Sequence, residues 1–104
     1  MYIVSIHYPN VEGATFDFEY YRTKHLSEVG KALGSFGLGY ASVLKGEQSV
    51  DGSAPAFFVT TILSFREEQG AREAMASDGA KALAADVPNF SNVRPLVQFN
   101  TAVA

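Results

Sequence analysis

Apolar positions recur with two different periods along the chain, and these periods predict the order of its elements. Residues 2–8 are β-branched or aromatic for the most part and stop at Pro9, which indicates a strand. The segment 17–33 instead carries apolar residues at three- and four-residue spacing and stops before Gly34, which indicates a helix. Asp17 stands at the start of this segment and is a plausible N-cap.

The remainder of the chain predicts further strands and a second helical region. Three strands are predicted, at residues 37–47, 56–65 and 93–101. A turn with Asp51 and Gly52 at its tip joins the first two of these. Residues 66–85 are rich in Ala, Glu, Arg and Lys and predict a helix that breaks near Gly79. Pro95 favours the edge of a sheet for the last strand.

This order of elements, β-α-β-β-α-β, is the ferredoxin-like split βαβ pattern. It predicts an α+β fold with residues 1–104 as a single domain, in which helices cover one face of a four-stranded antiparallel sheet. The strand at 56–65 is apolar on both sides, with Phe57 and Val59 predicted on one side and Phe58 on the other. A monomer would expose a larger apolar patch than soluble proteins usually tolerate, so we expect a homodimer that packs sheet to sheet.

Composition narrows the classes of function. The net charge is −3 and the eight Lys and Arg are scattered, so we expect no nucleic-acid partner. The absence of Cys excludes disulfides and thiolate metal sites, and two histidines without closely spaced carboxylates make a weak zinc site, so we expect no metal. No apolar run approaches the ~18 residues of a membrane span, and the N-terminus does not resemble a signal peptide. We therefore expect a cytoplasmic protein without a membrane partner.

Two separated motifs resemble the EthD-like family, named for ethyl tert-butyl ether degradation. They are FDFEYYRTKHLSEVGK, at residues 16–31, and SDGAKALAADVPNFSNVRPLVQF, at residues 77–99. The resemblance implies a dimeric α/β barrel, in which two ferredoxin-like subunits join through their sheets and each keeps a pocket between sheet and helices. Proteins of this fold include polyketide cyclases, decarboxylases, quinone-forming monooxygenases, lactone isomerases and haem-degrading enzymes, so the fold alone does not select an activity.

The histidine of the first motif is the leading candidate for chemistry. On a helical wheel Tyr21, His25 and Val29 share one stripe that must face the sheet, and His25 can touch Tyr21 one turn away. From this pattern alone, a hydrogen-bonded core histidine is the more frequent outcome. The resemblance shifts the balance, because it implies that this histidine lies in the pocket. We predict His25 as general acid/base, with Tyr21 as its hydrogen-bonding partner or as an oxyanion donor.

Four residues are secondary candidates, for substrate binding: His7, Phe18, Val29 and Phe58. The sequence leaves open which face of the first strand His7 occupies, because a shift of one residue moves it to the other face. A partly exposed histidine at a strand end is the favoured interpretation.

Residues of the second motif are predicted to be structural. Asp86 and Asn89 are expected to bond the local backbone of a turn, a role that we favour over catalysis. Phe90 is expected to anchor that turn in the core. Tyr20 is expected to pack at a subunit contact, with its hydroxyl in reach of water.

These features favour a small EthD-type enzyme without a cofactor that acts on an apolar or aromatic small molecule. Oxygenation, cyclisation and decarboxylation are all compatible with one imidazole and one phenol in an apolar pocket. One alternative is a non-catalytic dimeric module that binds or carries such a molecule. Another is haem binding, with His25 as the axial ligand.

Overall fold

The computed structural model describes all 104 residues and confirms the ferredoxin-like α+β fold. The strands are β1 (Tyr2–Pro9), β2 (Leu38–Lys45), β3 (Phe57–Phe65) and β4 (Leu96–Thr101). They form one antiparallel sheet in the order β2-β3-β1-β4. The helices follow β1 and β3, so the predicted β-α-β-β-α-β order is present. None of the helices is long and apolar enough to cross a membrane.

The first helix (residues 18–33) contains a π turn that orients its inward face. The helix begins after Asp17, whose side chain accepts a hydrogen bond of 3.0 Å from the Tyr20 amide. Within the π turn, Tyr21–His25, the amide of Leu26 bonds the carbonyl of Tyr21 five residues earlier. Four-residue steps overshoot a full turn of regular α-helix by about 40°, so a stripe with that spacing would rotate away from the sheet. The wider π turn keeps both Tyr21 and His25 buried.

The second helical region divides into two helices, as predicted, but at a different residue. The second helix is Glu68–Ala76 and the third is Asp78–Asp86. Ser77 separates them with extended backbone, and its hydroxyl caps the third helix by accepting a hydrogen bond from the Ala80 amide. Gly79, the predicted breakpoint, lies inside the third helix, where an added Cβ would come within 3.0 Å of the Ala32 Cβ. Its lack of a side chain therefore permits close contact between the first and third helices.

The core lies between the helices and one face of the sheet. Val4, Leu33, Leu63 and Phe65 are almost completely buried there. A second group, the aromatic cluster, lies towards the end of β1 and consists of Tyr8, Phe16, Phe18, Tyr21, Phe58 and Phe90. Because full burial of one large apolar side chain contributes about 1.5–3 kcal/mol, these two groups supply much of the driving force for folding.

A register shift at the start of β3 changes which phenylalanine faces the helices. The β1–β3 pairing is regular until Pro9, which pairs with Phe57 and leaves Phe58 as the extra residue of a bulge. Pro9 has no N–H to donate to the ladder, which explains why the shift occurs there. Phe58 consequently joins the same packed cluster as Val59, whereas Phe57 lies against His7 with ring centroids 5.2 Å apart. The predicted alternation is correct from Val59 onwards and wrong for the two phenylalanines.

The other side of the sheet, which we call the open face, is free of helices. It comprises residues 3, 5 and 7 of β1, 40, 42 and 44 of β2, 60, 62 and 64 of β3, and 96, 98 and 100 of β4. Tyr40, Leu44 and Leu96 are 56–58% exposed here. The remaining positions are Ile, Ser, Thr, His, Gln or Asn, so the open face has no charged side chain.

β4 is an edge strand, as Pro95 predicted, and it is shorter than the predicted 93–101 segment. Pro95 itself lies immediately before the strand, where its missing N–H breaks no ladder bond. The residues that lead into β4 therefore remain a loop next to the end of the third helix.

Candidate functional site

His25 and Asp86 form a hydrogen-bonded pair that joins the two halves of the fold. His25 ends the π turn of the first helix, and Asp86 is the last residue of the third helix. The Nδ1 atom of His25 lies 2.9 Å from Oδ2 of Asp86. Since the residues are 61 positions apart in sequence, only the packing of the two helices on one sheet brings them together.

Asp86 is held as a carboxylate by further donors. Its Oδ1 accepts hydrogen bonds from the Tyr20 hydroxyl at 2.7 Å and from the Asn89 side-chain amide at 2.9 Å. Partial burial by itself would raise the pKa of Asp86. The hydrogen bonds from Asn89, His25 and Tyr20 outweigh burial and lower the pKa to about 2, from an ordinary 3.8. An ionised carboxylate only accepts hydrogen bonds, so the proton of the pair lies on Nδ1 of His25.

His25 also lines a small apolar cavity. The cavity has a volume of about 90 Å³ and lies between sheet and helices. Its lining includes Ile6, Tyr8, Leu63 and Val97 from the sheet, Val29, Leu33, Leu83 and Ala84 from the helices, and His25. His25 is the only ionisable group in this lining besides the phenol of Tyr8.

The second nitrogen of the His25 ring is the one available to a ligand. Nε2 has no hydrogen bond within the chain, and no fully buried side-chain nitrogen or oxygen lacks a partner. Nε2 therefore keeps contact with accessible space, although the side chain as a whole is only 6% exposed. A neutral imidazole with its proton on Nδ1 presents a lone pair at Nε2, which makes that atom a base.

Two tyrosines flank the histidine and differ in what their hydroxyls reach. The ring of Tyr21 stacks on His25 with centroids 5.2 Å apart, and its hydroxyl shares a short hydrogen bond with Thr61 of β3. Tyr8 lines the cavity. Burial raises the pKa of both phenols; for Tyr8 the neighbouring Tyr21 adds to the effect, whereas hydrogen bonds to Thr61 and Tyr8 oppose it for Tyr21. Both phenols are therefore neutral donors at physiological pH.

The structure brings together some of the predicted site residues and separates others. Val29 lines the cavity together with His25. Phe18 and Phe58 lie in the aromatic cluster, on the far side of Tyr21, and do not reach the cavity. His7 lies on the open face, where its Nδ1 is 3.4 Å from the Thr60 hydroxyl, so the sheet separates it from His25.

The second motif does more than its sequence predicts. Asp86 is predicted to bond a local turn, yet its carboxylate bonds the His25 ring and the Tyr20 hydroxyl. The hydroxyl of Tyr20, which is predicted to reach water, is part of this network. Asn89 does bond locally, to Asp86, and Phe90 is only 3% exposed, with its ring 4.7 Å from that of His25. The sequence carries only a general hint of the pair: a buried imidazole needs a hydrogen-bonding partner, and the second motif contains a carboxylate.

The arrangement suits transfer of a proton to or from a bound small molecule. The carboxylate fixes the tautomer and orientation of the imidazole, and it can balance the charge that appears when Nε2 takes up a proton. The lining of the cavity is mostly apolar, which weakens the screening of charges next to it. No other imidazole and no carboxylate lines the cavity.

Comparison with known proteins gives a consistent fold and one family. The chain is similar to an EthD-like protein from Ralstonia eutropha JMP134, with 31% identity, a TM-score of 0.86, and 99% of this chain and 92% of that chain covered. An ethyl tert-butyl ether (EthD) family protein from Bacillus halodurans C-125 has 20% identity, a TM-score of 0.78 and 99% of each chain covered. SnoaB from Streptomyces nogalater, a cofactor-independent oxygenase, shares the fold with 14% identity and a TM-score of 0.60, covering 99% of this chain and 92% of its own.

No protein-family model matches the sequence, and a search of curated proteins found no match. The motifs at residues 16–31 and 77–99 supply the groups that meet around His25. The first of the structural relatives is 31% identical over almost the full length of both chains. On that similarity, the protein belongs to the EthD-like family.

Proposed function

We propose that this protein is an EthD-type enzyme that acts on an apolar or aromatic small molecule, with His25 as its general acid/base. The observation that supports this most directly is the placement of His25 between an ionised Asp86 and an apolar cavity. The carboxylate commits Nδ1 to donating, so Nε2 is the nitrogen that meets the ligand. The bound molecule gives a proton to Nε2, or receives one from it.

Asp86 and Tyr21 act as positioning residues. Asp86 orients the ring and stabilises the imidazolium that forms when Nε2 is protonated. Tyr21 stacks on the imidazole and is tied to β3 through Thr61, which limits rotation of the ring. Tyr21 was also predicted as an oxyanion donor, but its hydroxyl is bonded to Thr61, and Tyr8 is the tyrosine that lines the cavity.

Proton removal from a phenol or an enolisable carbonyl compound produces an electron-rich anion. Such an anion is a common starting point for addition of dioxygen, for ring closure and for rearrangement, while protonation of a carbanion completes a decarboxylation. SnoaB, which shares the fold, is a cofactor-independent oxygenase. The proposal therefore covers cofactor-independent oxygenation, cyclisation and decarboxylation.

The haem alternative is less well supported by the cavity. A cavity of about 90 Å³ is well below the range of roughly 300–1,000 Å³ that is usual for drug-sized ligands. A macrocycle would have to displace the packed residues that separate His25 from solvent. The carrier alternative is compatible with the cavity but gives no reason for a carboxylate–imidazole pair at its wall.

Deuterium exchange at the α-carbon of a small aromatic ketone tests the proposal without a known substrate. Acetophenone in D₂O, followed by ¹H NMR, should lose its methyl signal faster in the presence of the protein than in buffer. His25→Gln keeps hydrogen-bonding capacity but removes the imidazole base, and it should lower the protein-dependent rate by about 10²-fold or more. His7→Gln should retain the rate, because His7 lies on the open face.

Two outcomes would contradict the proposed function. Equal exchange rates with the wild type and with His25→Gln would remove His25 from the chemistry. Binding of acetophenone without any acceleration of exchange would favour the carrier alternative. Circular dichroism and the urea midpoint of each variant establish that the comparison is made between folded proteins.

We further propose that the enzyme is a homodimer formed through the open face. The face is uncharged, and it exposes Tyr40, Leu44 and Leu96 around smaller polar side chains. Depletion of charge is characteristic of the centre of protein interfaces. A second copy packed in the same way would bury these three side chains symmetrically.

A further inference from the structure

An open cleft adjoins the His25 cavity, and the two share part of their walls. The cleft has a volume of about 660 Å³ and lies between the end of the third helix and the loop that leads into β4. Four residues line both spaces: Ala84, Val87, Pro95 and Val97. The cavity of about 90 Å³ and the cleft are therefore neighbouring spaces, and only these four residues are common to both linings.

Arg94 is the only charged residue among those that line the cleft. It is exposed, and its guanidinium makes no salt bridge or hydrogen bond within the chain. Four of the other Lys and Arg do pair with carboxylates, at distances of up to 3.8 Å. Arg94 precedes Pro95, and a residue before proline is restricted to extended backbone. The backbone that carries the Arg94 side chain is consequently constrained, and Arg94 lines the cleft next to Pro95 of the shared wall.

The loop that carries Arg94 is anchored to the loop that precedes the first helix. The Ser91 hydroxyl donates to the carbonyl of Thr15 at 2.8 Å and accepts from the amide of Val93. The Asn92 side chain accepts from the Thr15 amide at 2.8 Å and donates to the Gly13 carbonyl at 3.0 Å. These bonds hold the cleft in shape before any ligand binds, which lowers the entropic cost of binding.

We propose that the cleft is an outer subsite for an anionic substituent, and that Arg94 recognises it. The substrate would combine an apolar or aromatic part, which extends through the shared wall towards His25, with a carboxylate or phenolate that remains in the cleft. An unpaired guanidinium at the edge of an apolar surface is suited to such a group, because its planar donors match two oxygen atoms. This inference rests on the proposed function, since it assigns the cavity to the reacting part of the same molecule.

Matched ligands that differ only in charge test the inference. We would titrate wild type, Arg94→Gln and Arg66→Gln with 2-naphthoate and with 2-naphthamide, following naphthyl fluorescence. Arg66 is a suitable control, because it is also exposed and also lacks a salt bridge, but it lies outside the cleft. The wild type and Arg66→Gln should bind the acid about two- to fivefold more tightly than the amide, as expected for an ion pair open to solvent. Arg94→Gln should abolish the preference without weakening the amide, and 1 M NaCl should do the same for the wild type.

A second variant separates this inference from the proposed function. Ala84→Phe places a ring in the wall shared by cleft and cavity and should weaken both ligands. Equal affinities for acid and amide in the wild type, both lost in Ala84→Phe, would overturn the role of Arg94 and leave the proposed function standing. Failure of both ligands to bind, or insensitivity of both to Ala84→Phe, would overturn the inference, whereas the exchange assay with His25→Gln decides the proposed function separately. A preference for the acid that survives in Arg94→Gln would also overturn the inference.

Discussion

Replacement of Phe90 by alanine should destabilise the protein severely, because this one ring supports both the fold and the site. Phe90 is 3% exposed, and its ring lies 4.7 Å from that of His25 and 5.2 Å from that of Tyr21. The backbone around it is fixed, since its carbonyl accepts from the Asp17 amide at 2.7 Å and its amide donates to Val87. The surrounding structure therefore has little freedom to collapse into the space that the ring leaves.

The expected cost follows from the size of that space. Truncation of a buried phenylalanine to alanine costs about 3–5 kcal/mol, and the cost rises when the cavity persists. The fixed backbone places Phe90→Ala in the upper part of this range. Typical domains have about 5–15 kcal/mol of stability in total, so the variant should remain folded only marginally.

Urea denaturation measures this loss directly. The midpoint should fall while the slope stays constant, and the melting temperature should fall by more than about 12 °C, at about 4–8 °C per kcal/mol for a domain near this size. Phe99→Ala is the control, because Phe99 is 39% exposed on an edge strand and should cost far less. An unchanged midpoint for Phe90→Ala would mean that residues 86–92 form a surface feature rather than an anchor. Phe90→Leu, which keeps most of the volume, should fall between the wild type and the alanine variant.

Three further predictions concern the carboxylate, the cap and the open face. Folding lowers the pKa of Asp86 from its ordinary 3.8 to about 2, so its carboxylate contributes to stability above pH ~4 and this contribution is lost as the pH falls towards 2. The difference in urea midpoint between wild type and Asp86→Asn should therefore shrink over that interval. A constant difference would contradict the ionised pair. Ser77→Ala removes the cap of the third helix and should cost about 1 kcal/mol by urea denaturation, whereas Ser77→Asp should restore the loss. Light scattering at micromolar concentration should give about twice the chain mass of 11.2 kDa, and Leu44→Lys should give monomers; a wild-type monomer would reject the sheet-to-sheet dimer.

Features that depend on neighbouring residues in sequence could be predicted. The cap at Asp17 and the alternation of β3 from Val59 onwards are encoded locally, and both occur as predicted. The π turn could not be predicted, because a single extra residue per turn leaves no signature in an apolar stripe. The bulge at Phe58 depends on which strand pairs with Pro9, and a residue's own segment does not contain that information.

The candidate site divides in the same way. The inward position of His25 follows from its spacing to Val29 and Leu33, so it could be predicted from the helix alone. The partnership with Asp86 could not, since turn residues and catalytic partners have the same chemistry, and the sequence alone gives no distance between two helices. Asp86 fixes the tautomer of His25 only because the first and third helices pack on the same sheet, and this packing is not encoded in the sequence around Asp86.

The π turn also makes the length of the first helix a determinant of the site. Deletion of one residue among Arg22, Thr23 and Lys24 would allow every amide of this helix to bond four residues back, and the helix itself would gain regularity. It would also turn the segment before the deletion by about 100° relative to the segment after it. Tyr21 is hydrogen-bonded to Thr61 of β3, and His25 is hydrogen-bonded to Asp86 of the third helix. After the deletion these two hydrogen bonds could no longer form together. A homologous chain with one residue fewer between the tyrosine and the histidine would therefore have to position its histidine differently. A sequence alignment that places no gap in this helix would then pair residues that have different surroundings.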